Sequence, residues 1–168
     1  MRVLLIEEDA RSCAQLRERL AARFAHELRL SAHEVCVWGG ESTVQLPPHP
    51  GRGGRNQHLA LAAARLIAGQ ADLMLLAAGT DGTDGVTEDA GALVDADSCA
   101  RIALGGLDVD GCLSGADSAA ALAASGDLVH TGPTGTNVGD LVIGLKLTPQ
   151  AFARLAAATH GGSPARVL

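Results

Sequence analysis

The chain has 168 residues, of which 47% are hydrophobic and only 2% aromatic, and it carries a net charge of −6 at pH 7. That length has a prior of one domain, with room for a core that needs no staples. The acidic balance leaves no basic field to neutralise phosphates along a duplex, and no apolar run reaches membrane-span length, so neither nucleic acid nor membrane is expected as a partner.

With no Tyr, two Phe and one Trp, a core has to be built from Ala, Leu, Val and Ile. Cys13, Cys36, Cys99 and Cys112 form no CxxC pair and have no matching His spacing. A disulfide scaffold or zinc site is therefore not indicated, and a reducing cytoplasm is the expected location. The opening MRVLLIEEDA has too short an apolar run for a signal peptide.

Residues 2–6 read as a short buried strand. A helix follows in which Ala10, Cys13, Ala14, Arg17, Leu20, Ala21, Phe24 and Leu28 share a face, with Asp9 or Ser12 as its cap. EVCVW (34–38) is strand-like, STVQL (42–46) extends it or starts another strand, and PPHPGRGGRN (47–56) is a loop. QHLALAAARLIAG (57–69) is apolar nearly all round, as a helix between layers would be. DLMLLAA (72–78) is a continuous apolar run suited to a central parallel strand covered on both faces. Helices are expected at 97–104 and 117–125, separated by a turn-rich stretch at 105–116. DLVHT and LVIGLKL (141–147) read as strands flanking a Gly-rich loop, and TPQAFARLAAA (148–158) as a helix before a loose tail. The alternation predicts an α/β layered domain over 1–147, with a mostly parallel central sheet and helices packed on it, and a C-terminal helix and tail over 148–168.

The Gly-rich stretches follow or separate strands, where open α/β sheets place their ligands. In GTDGTDG (79–85), Asp81 and Asp84 are each followed by Gly, with Thr80, Thr83 and Thr87 interleaved. Carboxylates and hydroxyls at a strand end suit Mg²⁺ or the hydroxyls of a small substrate, although Asp-Gly pairs also simply make turns. GRGGRNQ (51–57) sets Arg52 and Arg55 among glycines before a helix, so guanidiniums and a helix N-terminus could converge on a phosphate or carboxylate; a mobile linker is the plain alternative. Gly39-Gly40-Glu41 places a carboxylate just after a strand. HTGPTGTNVGD (130–140) offers three Thr, three Gly, Asn137 and Asp140, which suits an anion nest or a solvated hairpin. His49 and His130 have no visible partner. A response-regulator receiver, suggested by the acidic Glu8-Asp9 pair, fails because no Asp lies between Asp9 and Asp72 to accept a phosphoryl group.

Taken in series, GGEST, GRGGRNQ, AAGTDGTDG, ADS (116–118) and GDLVHTGPTGTNVGDL (126–141) resemble the MOFRL domain, the C-terminal domain of type II glycerate kinases, over about residues 3–147. The family also carries the name hydroxypyruvate reductase. The resemblance implies a two-domain enzyme that moves the γ-phosphoryl of ATP to (R)-glycerate, with its site between the domains and Mg²⁺ as cofactor. It implies that Arg55, Asp81 and Asp84 are catalytic, with Asp81 and Asp84 as candidate metal ligands. Arg55 would hold the substrate carboxylate or the transferring phosphoryl; Glu41, with the two aspartates, would orient glycerate hydroxyls or the metal. Arg52, Asn56, Thr134, Gly135, Thr136 and Asn137 would complete a substrate- and phosphate-binding set.

The family's N-terminal domain would carry a catalytic Lys, whereas the lone lysine here is Lys146, inside a predicted strand. Activity is therefore expected to need that domain or a partner chain, and a homo-oligomer is compatible with the sequence. The chain also departs from the family pattern at Val86, Glu88, Asp89, Ser42, His58, Ala116, Ala119 and Gly139. A stand-alone binding module for a small hydroxy acid or phosphate is the alternative from another class. A reductase is weaker, because no nicotinamide fingerprint is present.

Overall fold

The computed structural model describes residues 2–6, 13–31, 34–41 and 46–151, with the side chains of 2–6 and 13–17 left aside. The elements are β1 (Arg2–Ile6), α1 (Cys13–Leu30), β2 (Val35–Gly40), α2 (Arg55–Ile67), β3 (Leu73–Gly79), β4 (Gly91–Val94), α3 (Ser98–Leu104), α4 (Val109–Ser114), α5 (Ser118–Ser125), β5 (Leu128–Val129) and β6 (Asp140–Lys146). The expected strand at 42–46, the Asp9 or Ser12 cap and most of the expected helix over 148–158 lie outside the described residues. No described helix is long and apolar enough to cross a membrane.

Six strands form one sheet in the order β1-β2-β6-β3-β4-β5. The expectation of a mostly parallel sheet is corrected here: β1 and β2 pair in parallel, and every other pair is antiparallel. The reason is the path of the last strand. β2, α2 and β3 make a crossover that leaves β2 and β3 pointing the same way, and β6 enters the gap between them in the opposite sense. β3 is central but its burial alternates, Leu73, Leu75 and Ala77 being buried while Met74, Leu76 and Ala78 are only partly covered. The strand expected to be covered on both faces is fully covered on one.

The covered face carries the core. Leu20, Ala21, Phe24, Ala25 and Leu28 form the buried stripe of α1 at helical spacing, and they pack with Cys36, Trp38, Leu73, Leu75, Ala77 and Val142 of the sheet. Phe24 and Trp38 meet with ring centroids 4.8 Å apart, and the Trp38 indole N–H donates to Glu27 at 3.1 Å. α2 is the central helix, touching α1, α4, α5, β3 and β4. Its Ala60 to Ala64 run is wholly buried, and the small side chains let α2 lie close to its neighbours. α4 falls in the stretch read from sequence as turn-rich, and β4 in one where no element was expected.

Candidate functional site

β2 ends, β3 ends and β6 begins at the same edge of the sheet: the register places Asp140 opposite both Gly40 and Gly79. The N-terminus of α2 rises beside that edge and brings Arg55 over it. The result is a polar cleft of about 370 Å³ whose lining includes Glu41, Arg55, Asp81, Thr83, Asn137, Gly139 and Asp140. Next to it lies an apolar pocket of about 50 Å³ between α1, α2 and the sheet, walled by Leu20, Phe24, Trp38, Leu59 and Val142 and sharing Glu41, Arg55 and Asp140 with the cleft.

Arg55 is the hub. Its Nη1 donates to Glu41 Oε1 at 3.0 Å and its Nη2 to Asp140 Oδ1 at 3.0 Å. Asp140 Oδ1 also accepts from Asn56 Nδ2 at 3.0 Å, so Asn56 acts by fixing Asp140. Burial disfavours the Arg55 cation, but the hydrogen bond to Glu41 and the charges of Asp140, Glu41 and Asp84 outweigh it and hold its pKa above the usual guanidinium value.

The two tandem aspartates do different things. Asp84 turns inward, is 2% exposed, and accepts from the backbone amides of Asn56 at 3.1 Å and Gln57 at 2.8 Å and from Asn56 Nδ2 at 3.3 Å. It caps α2 from a distant segment, because the residue at the cap position is Gly54, which has no side chain to do so. A Cβ on Gly54 would sit 2.2 Å from Asp84 Cγ, so glycine at 54 is what admits the carboxylate. Burial pushes the Asp84 carboxyl above its usual range, against the pull of the Gln57 and Asn56 amides, and the charge of Asp140 adds to the rise. Asp81 faces the cleft and accepts from Thr83 N at 3.0 Å and Thr83 Oγ1 at 3.1 Å. The pair therefore does not converge on one point, and no cluster of three or more His, Cys, Asp or Glu is placed to hold a metal among the described residues.

The Gly- and Thr-rich loop is largely occupied with its neighbour. Thr134 donates through its amide to Asp81 O at 3.2 Å and through its hydroxyl to Thr80 O at 2.6 Å, and Val138 N donates to Thr80 Oγ1 at 2.9 Å. Gly139 O in turn accepts from Thr80 N and Oγ1 at 3.1 and 2.8 Å. Gly82, with φ +91°, runs so close that a Cβ would lie 2.1 Å from Gly132 O. Asn137 and Gly139 line the cleft, whereas Thr134, Gly135 and Thr136 are exposed beyond its lining.

Arg52 does not line the cleft either; its segment is pinned to α5 by Arg52 N to Asp117 Oδ1 at 2.9 Å and Ala119 N to Arg52 O at 3.0 Å. Asp117 of the ADS motif thus anchors the loop that leads into Arg55. Sequence reasoning gave Asp117 no role and treated Asp140 as a minor polar group; its place at the first residue of a strand after a Gly-rich loop was the available signal. His130, expected to lack a partner, lies 3.6 Å from Asp89.

A model of the MOFRL family matches residues 34–140, more than half of the chain. D-glycerate 2-kinase of Thermotoga maritima is 49% identical over 111 residues, covering 66% of this chain and 26% of that protein. Human glycerate kinase is 42% identical over 152 residues, covering 80% of this chain and 28% of its own length. Among solved structures, glycerate kinase of Thermotoga maritima superposes with a TM-score of 0.77 at 39% identity, covering 86% of this chain and 36% of that one. The chain therefore spans about a quarter to a third of the length of these relatives.

Proposed function

The chain belongs to the MOFRL family, and from that premise we propose that it forms one wall of a glycerate kinase site, which transfers a phosphoryl group from ATP to glycerate. The observation that carries the reading is Arg55, a guanidinium fixed from two sides over the sheet edge where three Gly-rich segments meet. Phosphoryl transfer depends on positioning and charge neutralisation more than on covalent chemistry, and a rigidly placed cation beside hydrogen-bonding loops is suited to both. Arg55 holds the substrate carboxylate or the transferring phosphoryl. Asp81 accepts from substrate hydroxyls, Glu41 pairs with Arg55 at the mouth of the cleft, Asn137 contributes its amide, and Asp84 serves by fixing the start of α2, on which Arg55 stands.

Among the charged groups lining the cleft, Glu41, Asp81, Asp84 and Asp140 outnumber Arg55. Asp84 and Asp140 are committed to α2, Arg55 and Asn56, so a Mg²⁺ ion arriving with the nucleotide would find only Asp81 and Glu41 as carboxylate contacts on this wall, where it would neutralise phosphate charge. The lysine and further nucleotide contacts come, in this reading, from the part of the relatives that this chain does not span.

Titration calorimetry of the purified chain with D-glycerate, Mg²⁺-ATP and 2-phosphoglycerate tests the proposal. Binding that disappears in Arg55→Ala supports it. Binding that Arg55→Ala leaves intact would sink the assignment of Arg55.

A further inference from the structure

The two carboxylates that hold Arg55 are not equivalent. Asp140 is fixed: its side chain is 11% exposed, it stands on β6 between two strands, and the oxygen that accepts from Arg55 also accepts from Asn56. Glu41 lies past the end of β2, and its side chain is 66% exposed. Exposed ion pairs are weak, because water screens them and a flexible side chain must be ordered to make them. The guanidinium fork itself is kept in place by the buried side, whatever happens on the exposed side.

We propose that Glu41 is an exchangeable stand-in: it occupies, on Arg55 Nη1, the position that a ligand carboxylate takes, and the ligand displaces it while Asp140 retains Nη2. The subsite is thus a planar carboxylate seat marked by Glu41 Oε1, 3.0 Å from Nη1. With Nη2 filled by Asp140, the seat on Nη1 receives a single carboxylate. The inference rests on the reading of Arg55 as the carboxylate receptor and adds what the arriving group must push aside.

Calorimetric titration of the chain with D-glycerate decides it, with circular dichroism confirming that each variant is folded. Glu41→Gln removes the competing charge, and Glu41→Ala removes the competitor altogether. Each is expected to tighten glycerate binding by about two- to fivefold, the range for the loss of an exposed ion pair. Neither should gain toward glyceramide, which has the hydroxyls without the charge. Asp140→Asn, which loosens the fork, is expected to weaken binding. A gain of affinity is a readout that a merely damaged site does not produce. Glycerate binding unchanged or weaker in both Glu41 variants, yet lost in Arg55→Ala, overturns the stand-in and leaves Arg55 as the receptor. Equal binding in Arg55→Ala and wild type overturns the receptor itself. No heat from wild type and both Glu41 variants overturns the two together.

Discussion

Replacing Asp84 with Ala separates a cap from a ligand. The substitution leaves the Asn56 and Gln57 amides at the start of α2 without their acceptor, in residues that are 3% and 0% exposed. Each unsatisfied buried donor costs about 1–3 kcal/mol, and cap deletions alone cost about 0.5–2 kcal/mol. Because the two amides belong to one helix end and can relax together, a loss of about 3 kcal/mol is expected rather than the full sum. For a chain of this length a loss of that size lowers Tm by about 6–12 °C. Thermal and urea denaturation followed by circular dichroism measure it, with Asp81→Ala as the control. The Asp81 carboxylate accepts only within its own turn, from Thr83, and its loss should cost about 1 kcal/mol or less. A melting temperature for Asp84→Ala within about 2 °C of wild type, or an equal fall in Asp81→Ala, would refute the cap.

Titration of Asp84 gives a second test. Its folded pKa lies above the ordinary 3.8, so between those two values the folded state holds a proton that the unfolded state has released, and stability falls as pH rises. Asp84→Asn removes that dependence, and the stability of wild type relative to Asp84→Asn should decline with rising pH above about 3.8 in urea melts; a rise would contradict the shift. Gly82→Ala forces an alanine into φ +91° and drives its methyl toward Gly132 O; a destabilisation of about 1–3 kcal/mol is expected from the strain, read as a lower Tm. Asp117→Ala removes one of the two bonds that pin Arg52 to α5 and should cost about 1 kcal/mol while speeding hydrogen exchange at the Arg52 amide. Unchanged exchange there would show that the anchor is dispensable.

The alternation of strands and helices was enough to place β2, α2, β3 and β6 within a few residues, because each is long enough for its apolar period or run to be read. Strand direction was not readable. LMLLAAG looks like a buried parallel strand whichever way its neighbours run, and nothing local in Asp140–Lys146 announces that it returns between strands far earlier in the chain. The GALV of β4 is too short to stand out behind two Asp-Gly pairs. At the site, Glu41 and Asp81, read at strand ends, and Arg55, read just before a helix, line one cleft. The role of Asp84 left no local mark, since its partners are 27 and 28 residues away. Hydroxyl-rich composition likewise does not say whether Thr134 bonds a ligand or the carbonyl of Thr80; packing of the two loops decides for the latter.

The strand at the middle of the sheet is also the last in the described chain to be made. Until residue 140 leaves the ribosome, β2 and β3 each lack one neighbour and present bare edges toward the same gap, the kind of surface that recruits strands from other molecules. Closing that gap joins residues about a hundred positions apart from β2 and some seventy from β3, a large loop entropy that must be met before any pairing compensates it, so folding is slow for a chain of this size. Asp140 arrives with the same strand, which makes completion of the Arg55 site a late event. Trp38 lies opposite Val142 across the seam, so its fluorescence in a stopped-flow refolding trace times the closing of the sheet; a change complete before the slow phase would place β6 early instead.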